Sequence, residues 1–396
     1  MPAPSPIAIV TPWWTGNTTG GAEFLAREIA HRFAERGRRV EVLTTCGESA
    51  FSDWSVDHFE PGVVEENGLT VHRFPLDPRD QERFARLHRD QMSGRFLSPT
   101  EEREFFENSI NSRELCAHIE ANRETFAFLF IPYLYGTTWY GIEAAGDRAV
   151  LIPCLHDESV AYMQRVREMM ERPRGLWFLT EPERRLAQSL YGLHKSVAKV
   201  AGAGMDFCGK GDGDRFRQGY SLDGPYLLFA GRRVPGKGFH LLLDFFQAFS
   251  AGNPGWSLVL AGLGSASQNW RLPAHTFDIG CVEKQVLWDA MAGATIFCQP
   301  SRYESFSYVL MEAWVQGTPA LVNARCEVLR WQCETAGGGL WFHEPDDFEQ
   351  ALRYLEDHPS EASRMGQQGA EYVATQLRWS QVMDRAEALL RECGFE

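Results

Sequence analysis

Residues 7–45, IAIVTPWWTGNTTGGAEFLAREIAHRFAERGRRVEVLTT, run through strand, glycine loop, helix and strand. Ile7-Ala8-Ile9-Val10 is a short apolar run that reads as a buried strand, ended by Pro12. Thr15-Gly16-Asn17-Thr18-Thr19-Gly20-Gly21 is a polar loop. Over 22–36, Leu25, Ile29 and Phe33 recur at helical spacing beside Ala22, Ala26 and Ala30, and Gly37 suits the position that closes the helix. Val40, Val42 and Leu43 mark a second strand over 39–45. A strand–helix–strand crossover of this kind implies a parallel sheet.

Beyond it, residues 48–125 are rich in charge and Phe, with weak helical patterning around 80–92 and 100–120. Strand runs resume at 126–131, ended by Pro132, then at 149–152 and 196–200. The glycine-rich stretch 201–223 marks a boundary, and the pattern restarts. A strand is predicted at 226–230, a basic loop at 231–238, a helix at 239–249, and strands at 257–261, 277–279, 294–298, 320–322 and 340–342. Two successive alternating halves predict an α/β chain of two Rossmann-like domains, 1–203 and 204–375. An amphipathic helix over 379–391, in a tail of about 376–396, is expected to pack back on the first domain.

The chain has 396 residues, 39 Lys and Arg against 53 Asp and Glu, and a net charge of −14. That balance argues against a nucleic-acid partner and against a polybasic membrane anchor. Nine Cys without a C-x-x-C pair or a zinc-spaced Cys/His cluster read as reduced, mostly buried thiols. The N-terminal residues lack the basic region and apolar run of a signal peptide, and no apolar run reaches the roughly 18 residues of a spanning helix. The expectation is a soluble cytoplasmic protein.

In open α/β sheets, ligands bind beyond the carboxyl ends of the strands. Four segments at predicted strand ends carry suitable groups. Gly20-Gly21 opens a helix whose free N–H groups suit an anion, though the segment lacks the G-x-G-x-x-G fingerprint and the acid at the second strand end that dinucleotide sites use. Gly231-Arg232-Arg233-Val234-Pro235-Gly236-Lys237-Gly238 places cations on a glycine-rich loop, either a diphosphate clamp or a solvated turn. It is not a P-loop, because Gly238 stands where Ser or Thr is required. Ser301-Arg302-Tyr303-Glu304-Ser305-Phe306 leads into a helix bearing Glu312. The two carboxylates are separated by about 12 Å along a helical rise, too far for the acid/base pair of a retaining hydrolase at ~5 Å. His156, followed by Asp157 and Glu158, ends a central strand.

Taken in order, these segments resemble the retaining glycosyltransferases of the GT-B fold, family 4. The pieces are the Gly20-Gly21 loop, His156, Gly231-Arg232 with Lys237-Gly238, Ala261-Gly262-Leu263-Gly264, Ile279-Gly280-Cys281-Val282, and Pro300-Ser301 through Glu304-Ser305-Phe306 to Glu312-Ala313 and Gly317-Thr318-Pro319. Ser307 departs from the Gly usual there, and 48–125 has no family counterpart. The resemblance implies two Rossmann-like domains facing a central cleft, with the acceptor on the first and a nucleotide-diphosphate sugar, UDP- or GDP-linked, on the second. It implies that Arg232 and Lys237 hold the diphosphate, with amides of Gly20, Gly21, Ser305 and Phe306. Glu304 would hold sugar hydroxyls, Glu312 the ribose, His156 the sugar near the reacting carbon, and the chain around Val282 the base. His156, Arg232, Lys237 and Glu304 are then the catalytic candidates. No cofactor is implied, and no D-x-D stands on a nucleotide loop, so a metal-independent, retaining transfer to a hydroxyl is expected. The acceptor would be a carbohydrate, a lipid-linked or another hydroxyl compound, in polysaccharide, glycolipid or glycoconjugate synthesis. A nucleotide-sugar epimerase, a phosphorylase or an inactive nucleotide-sugar-binding relative would share the fold.

Two further readings concern the first half. Trp13, Trp14, Tyr133, Tyr135, Trp139 and Tyr140 fall near strand ends, as core residues or as platforms for acceptor sugar rings. Val160, Met163, Val166 and Met170 with nearby Arg form either an ordinary packed helix, or a lid or weak peripheral contact with the inner face of a membrane.

Overall fold

A computed structural model describes residues 4–16, 20–206, 209–264 and 270–395. Of the polar loop at 15–21, residues 17–19 lie outside the described residues. The described residues divide into two compact units, one within Met1–Ala203 and Trp379–Glu396, the other within Gly204–Arg378.

The first unit opens with β1 (Ile7–Val10), α1 (Gly21–Glu35), β2 (Val40–Thr45), β3 (Gly62–Glu66) and β4 (Leu69–Phe74). Helices α2 (Gln81–Met92), α3 (Pro99–Glu107) and α4 (Arg113–Ala121) follow, then β5 (Ala127–Phe130), α5 (Gly136–Ala145), β6 (Ala149–Leu151) and α6 (Gln164–Glu171). It continues with β7 (Gly175–Phe178), α7 (Glu181–Tyr191) and β8 (Val197–Val200). Its sheet runs β3-β4-β2-β1-β5-β6-β7-β8, parallel except for the β3–β4 pair. Strands β1, β2, β5, β6 and β7 are buried along their whole length, which is why they read as near-continuous apolar runs.

The second unit holds α8 (Gly213–Tyr220), β9 (Tyr226–Ala230), α9 (Phe239–Gly252), β10 (Ser257–Ala261), β11 (Thr276–Gly280), α10 (Lys284–Gly293) and β12 (Ile296–Gln299). After these come α11 (Tyr308–Val315), β13 (Ala320–Asn323), α12 (Glu327–Ala336), β14 (Gly339–Phe342), α13 (Pro345–Asp357) and α14 (Pro359–Gln376). Its six strands, in the order β11-β10-β9-β12-β13-β14, are all parallel. The last helix, α15 (Trp379–Glu392), returns to the first unit, where Trp379, Val382, Met383, Ala386, Leu389 and Leu390 are buried.

Several elements were not named in the sequence reading, among them the strands β3, β4 and β7. Residues 62–74 form a β-hairpin whose central Asn67 and Gly68 have φ of 51° and 80°, the twist a two-residue hairpin loop requires. Strand β7 is only Gly-Leu-Trp-Phe. The segment 159–171 settles as packing: Val160, Met163, Val166, Met169 and Met170 all join the first unit's core. Its apolar side chains are thereby committed inward, against the membrane-contact reading. Among the described residues, no helix is long and apolar enough to cross a membrane.

Helix α14 approaches the end of α11 at glycine. A Cβ on Gly366 would lie 1.8 Å from the Gly317 carbonyl oxygen, and one on Gly369 2.4 Å from the Trp314 ring. Gly219, inside α8, has open space around it. Gly366→Ala is therefore expected to cost about 1–3 kcal/mol by overpacking. Gly219→Ala should add about 0.4–1 kcal/mol by restricting the unfolded chain. Urea midpoints of the two variants, moving in opposite directions, check both.

Candidate functional site

The second unit gathers its chemistry at the carboxyl ends of its strands. Leaving β9, Gly231 donates its N–H to Ala261 O at 3.0 Å, and Arg233 N–H donates to Leu263 O at 3.0 Å. Gly262 has φ of 112°, and a Cβ there would lie 2.3 Å from Gly231 O, so glycine is what lets the loops after β9 and β10 close on each other. The chain then makes one 3₁₀ turn, Pro235–Lys237, and Gly238 (φ 68°) starts α9. A Cβ at Gly238 would lie 2.0 Å from Pro300 O, so the basic loop rests directly on the segment following β12. Arg302 N–H donates back to Gly236 O at 3.3 Å, and Asn323 Nδ2 at the end of β13 holds Pro300 O at 3.0 Å.

This contact brings two of the expected residues together. Lys237 Nζ donates to Glu304 Oε1 at 2.6 Å. Gln299 Nε2 donates to the same oxygen at 2.9 Å and to Ser301 Oγ at 3.0 Å. The three cations of the loop have different fates. Arg233 is buried and forms a bidentate pair with Asp278 on β11, which holds the Asp278 carboxyl below its ordinary range. It acts as a strut between strand ends. Arg232 is exposed and Lys237 half-buried, so both lie at the loop surface.

Ser305 and Phe306 are buried, so at this point it is the main chain that leads into α11 and its positive helix end. Phe306 packs edge-on against Tyr308, ring centroids 5.1 Å apart. Glu312 lies farther along α11. Burial pushes its carboxyl above the ordinary range, opposed by the charge of Lys284 at the start of α10. Val282, half-buried, follows the turn at Gly280 (φ 62°) and precedes Lys284. Val282 thus lies on the chain entering α10, whose Lys284 acts on the Glu312 carboxylate.

In the first unit, Gly20 caps α1 in extended geometry and Gly21 is its first residue. The Glu23 carboxylate folds over Gly20, at 1.8 Å from a Cβ built there, so an anion approaching this helix end meets a like charge. His156 follows β6, half-buried, with Nδ1 3.4 Å from Glu158 Oε1. Tyr133 hydroxyl donates to that same oxygen at 2.9 Å. Strand β5 lies between β1 and β6, so Gly20 and His156 sit over different strand ends of one sheet.

Several contributors were not found in the sequence. Glu183, in the first turn of α7, is fully buried. Its oxygens accept Leu155 N–H at 2.7 Å and Leu179 N–H at 2.6 Å, so it fixes the residue immediately before His156. Burial pushes its carboxyl up to about 8 although its backbone donors pull it down. Of the aromatic candidates, Trp13, Trp14, Tyr133 and Trp139 are buried, which makes them core. Trp13 packs edge-on against Tyr135, centroids 4.7 Å apart, and lies 5.7 Å from Trp54, a partner contributed by the uninterpreted 48–125 segment.

Sucrose-phosphate synthase from Thermosynechococcus elongatus superposes with a TM-score of 0.73 at 16% identity, covering 98% of each chain. Anabaena HepE in complex with UDP gives 0.72 at 15% identity, covering 98% of this chain and all of that one. The fold is GT-B. Within it, residues 212–372 match the family model described as "Glycosyl transferases group 1". The lipopolysaccharide core biosynthesis glycosyltransferase LpsE of Rhizobium meliloti (strain 1021) is 27% identical over 184 residues, 45% of this chain and 53% of that protein. Mannosylfructose-phosphate synthase of Agrobacterium fabrum is 24% identical over 406 residues, 94% of this chain and 86% of that protein. The match to LpsE, like that to a D-inositol 3-phosphate glycosyltransferase of Acidothermus cellulolyticus, spans about half the length of the relative.

Glu183 provides the test of how the His156 segment is held. Glu183→Gln turns one acceptor into a donor facing an N–H and should cost about 1–3 kcal/mol. The folded carboxyl titrates near 8 against an ordinary 4.5, so the folded state binds the extra proton between those values. Wild-type stability therefore declines as pH rises through that window, while the amide does not titrate. The stability gap between wild type and variant should narrow from pH 5 to pH 8 in urea titrations; a widening gap would contradict the assignment.

Proposed function

We propose that the chain is a retaining glycosyltransferase of family 4, moving a sugar from a nucleoside-diphosphate donor to an acceptor hydroxyl. The observation that carries the proposal is the Lys237–Glu304 contact at the strand ends of the second unit, beside Arg232 and the start of α11. It sets a cation for phosphate next to a carboxylate able to accept sugar hydroxyls. The match of 212–372 to the group 1 model and the glycosyltransferase names of the relatives support it. The HepE structure holds UDP, which supports a uridine donor, with a guanosine donor the alternative.

In this reading the second unit is the donor unit. Arg232, Lys237 and the main chain at Ser305 and Phe306 stabilise the charge growing on the departing diphosphate, so a metal is not required for that task. Glu304 orients the sugar, Glu312 accepts from the ribose, and the chain at Val282 borders the base. The first unit binds the acceptor and supplies His156 to the sugar. No cofactor takes part, and the donor phosphate receives the acceptor proton, consistent with the lack of an assigned general base. The acceptor is a carbohydrate, lipid-linked or other hydroxyl compound, and the protein is placed in the cytoplasm.

In the free protein, Lys237 is neutralised by Glu304, so a bound diphosphate competes with that carboxylate for the ammonium. Lys237→Ala should lower turnover by roughly 10²–10³. Glu312→Ala should weaken nucleoside-diphosphate binding, whereas Glu304→Ala should leave that binding equal or tighter while abolishing transfer. NMR of the product made with excess EDTA should show the donor's anomeric configuration kept. Inverted product, metal dependence, or equal loss of nucleotide affinity in both Glu variants would contradict the assignment.

A further inference from the structure

The first unit contains a polar chain that the proposed mechanism does not yet use. Glu158 Oε1 receives the Tyr133 hydroxyl at 2.9 Å and stands 3.4 Å from His156 Nδ1. Both partners are anchored. Tyr133 is fully buried after β5, and Leu155, before His156, is held by the buried Glu183. Glu158 has a side-chain exposure of 15%. Burial works to raise its carboxyl, but the hydrogen bonds from His156 and Tyr133 prevail and hold it below the ordinary range. His88 on α2 faces the same carboxylate and adds attraction.

An ionised carboxylate offers lone pairs alone, so a ring nitrogen bonded to it must carry hydrogen. That fixes the proton of a neutral His156 on Nδ1 and leaves a lone pair on Nε2. A carboxylate that sets an imidazole's tautomer and orientation is a recurrent device wherever a His must present one chosen nitrogen.

We propose that Glu158, braced by Tyr133, is a positioning residue that locks His156 in the Nδ1–H tautomer so that Nε2 accepts a hydroxyl of the transferred sugar. The inference rests on the reading that His156 contacts that sugar. It separates the roles of the two acids after the histidine. Asp157 accepts from the Tyr162 hydroxyl at 2.7 Å, on the exposed side of the turn, and Glu158 turns inward to the ring.

The test uses full-length protein labelled with ¹⁵N-histidine and long-range ¹⁵N–¹H spectra, in which the two tautomers give distinct patterns. Wild type should show neutral His156 as Nδ1–H. The double variant Tyr133→Phe/Glu158→Met keeps the volume and leaves no orphaned hydroxyl; it should shift His156 toward Nε2–H. It should also lose about 10- to 100-fold in kcat, the scale of removing an orienting partner from a functional His. Nucleoside-diphosphate affinity should not change. Glu158→Gln keeps an acceptor oxygen and should recover most of both effects, and Tyr133→Phe alone should keep the wild-type tautomer. Circular dichroism verifies that each variant is folded. An unmoved tautomer in the folded double variant overturns the proposal, as does a moved tautomer with unchanged kcat. A wild-type protein that transfers no sugar would instead remove the glycosyltransferase reading, and the tautomer result would show that failure to be a separate one.

Discussion

The ion pair between Lys237 and Glu304 joins two loops that are far apart in sequence and adjacent in space because β9 and β12 are neighbours in the sheet. Glu304 carries little exposed surface, 9% of its side chain, and Lys237 26%. Removing either partner would leave the other charge poorly solvated, which is the usual penalty of breaking a partly buried pair. The pair can form only because the chain comes close enough. Gly238 lies against Pro300 O, Gly262 against Gly231 O, and the Arg233–Asp278 pair braces the same loops from the other edge. Glycines set the distance, and buried polar groups set the orientation.

The first unit solves the same problem with a different group. Its strand ends at β6 and β7 are joined by one buried carboxylate, Glu183, that satisfies a main-chain donor from each. Backbone donors leaving a buried sheet need partners, and a side chain on the following helix provides them where the sheet ladder has stopped. Positioning of His156 follows from this satisfied hydrogen bonding. Cys154, two residues before it, has φ of 53°, an uncommon conformation for a residue with a Cβ, so the turn is constrained on both sides of Leu155.

How much of this was legible depends on the physics of each element. Strands covered on both faces leave continuous apolar runs, and β1, β5, β9 and β10 were found at or within a residue or two of their observed ends. The edge strand β3 is mostly exposed and leaves no such run, although Asn67-Gly68 between Val63-Val64 and Leu69-Thr70-Val71 carried the hairpin signal. Strand β7 is four residues long, a length at which periodicity has no meaning, and only its flanking Pro173 and the Thr180 cap outline it. Helix α3 was read only as weak helical patterning, although its capping box of Ser98 and Glu101 carried a start signal. In the site, residue types were legible and their commitments were not. Adjacent Arg232 and Arg233 look alike in sequence, and the sheet order that delivers Asp278 decides which becomes a strut. Glu183 looks like any acid in a first helical turn until β6 and β7 are known to lie side by side.

The central claim is that the loops after β9 and β12 form a diphosphate site whose cation is Lys237. Calorimetric titration with a nucleoside, its monophosphate and its diphosphate, for uridine and guanosine at one fixed ionic strength, tests it most directly. For one base, affinity should rise at the diphosphate by at least about tenfold, or 1.4 kcal/mol. Lys237→Met should erase that step while leaving nucleoside binding unchanged. Equal affinities across each series, or a diphosphate step that survives in Lys237→Met, would contradict the claim.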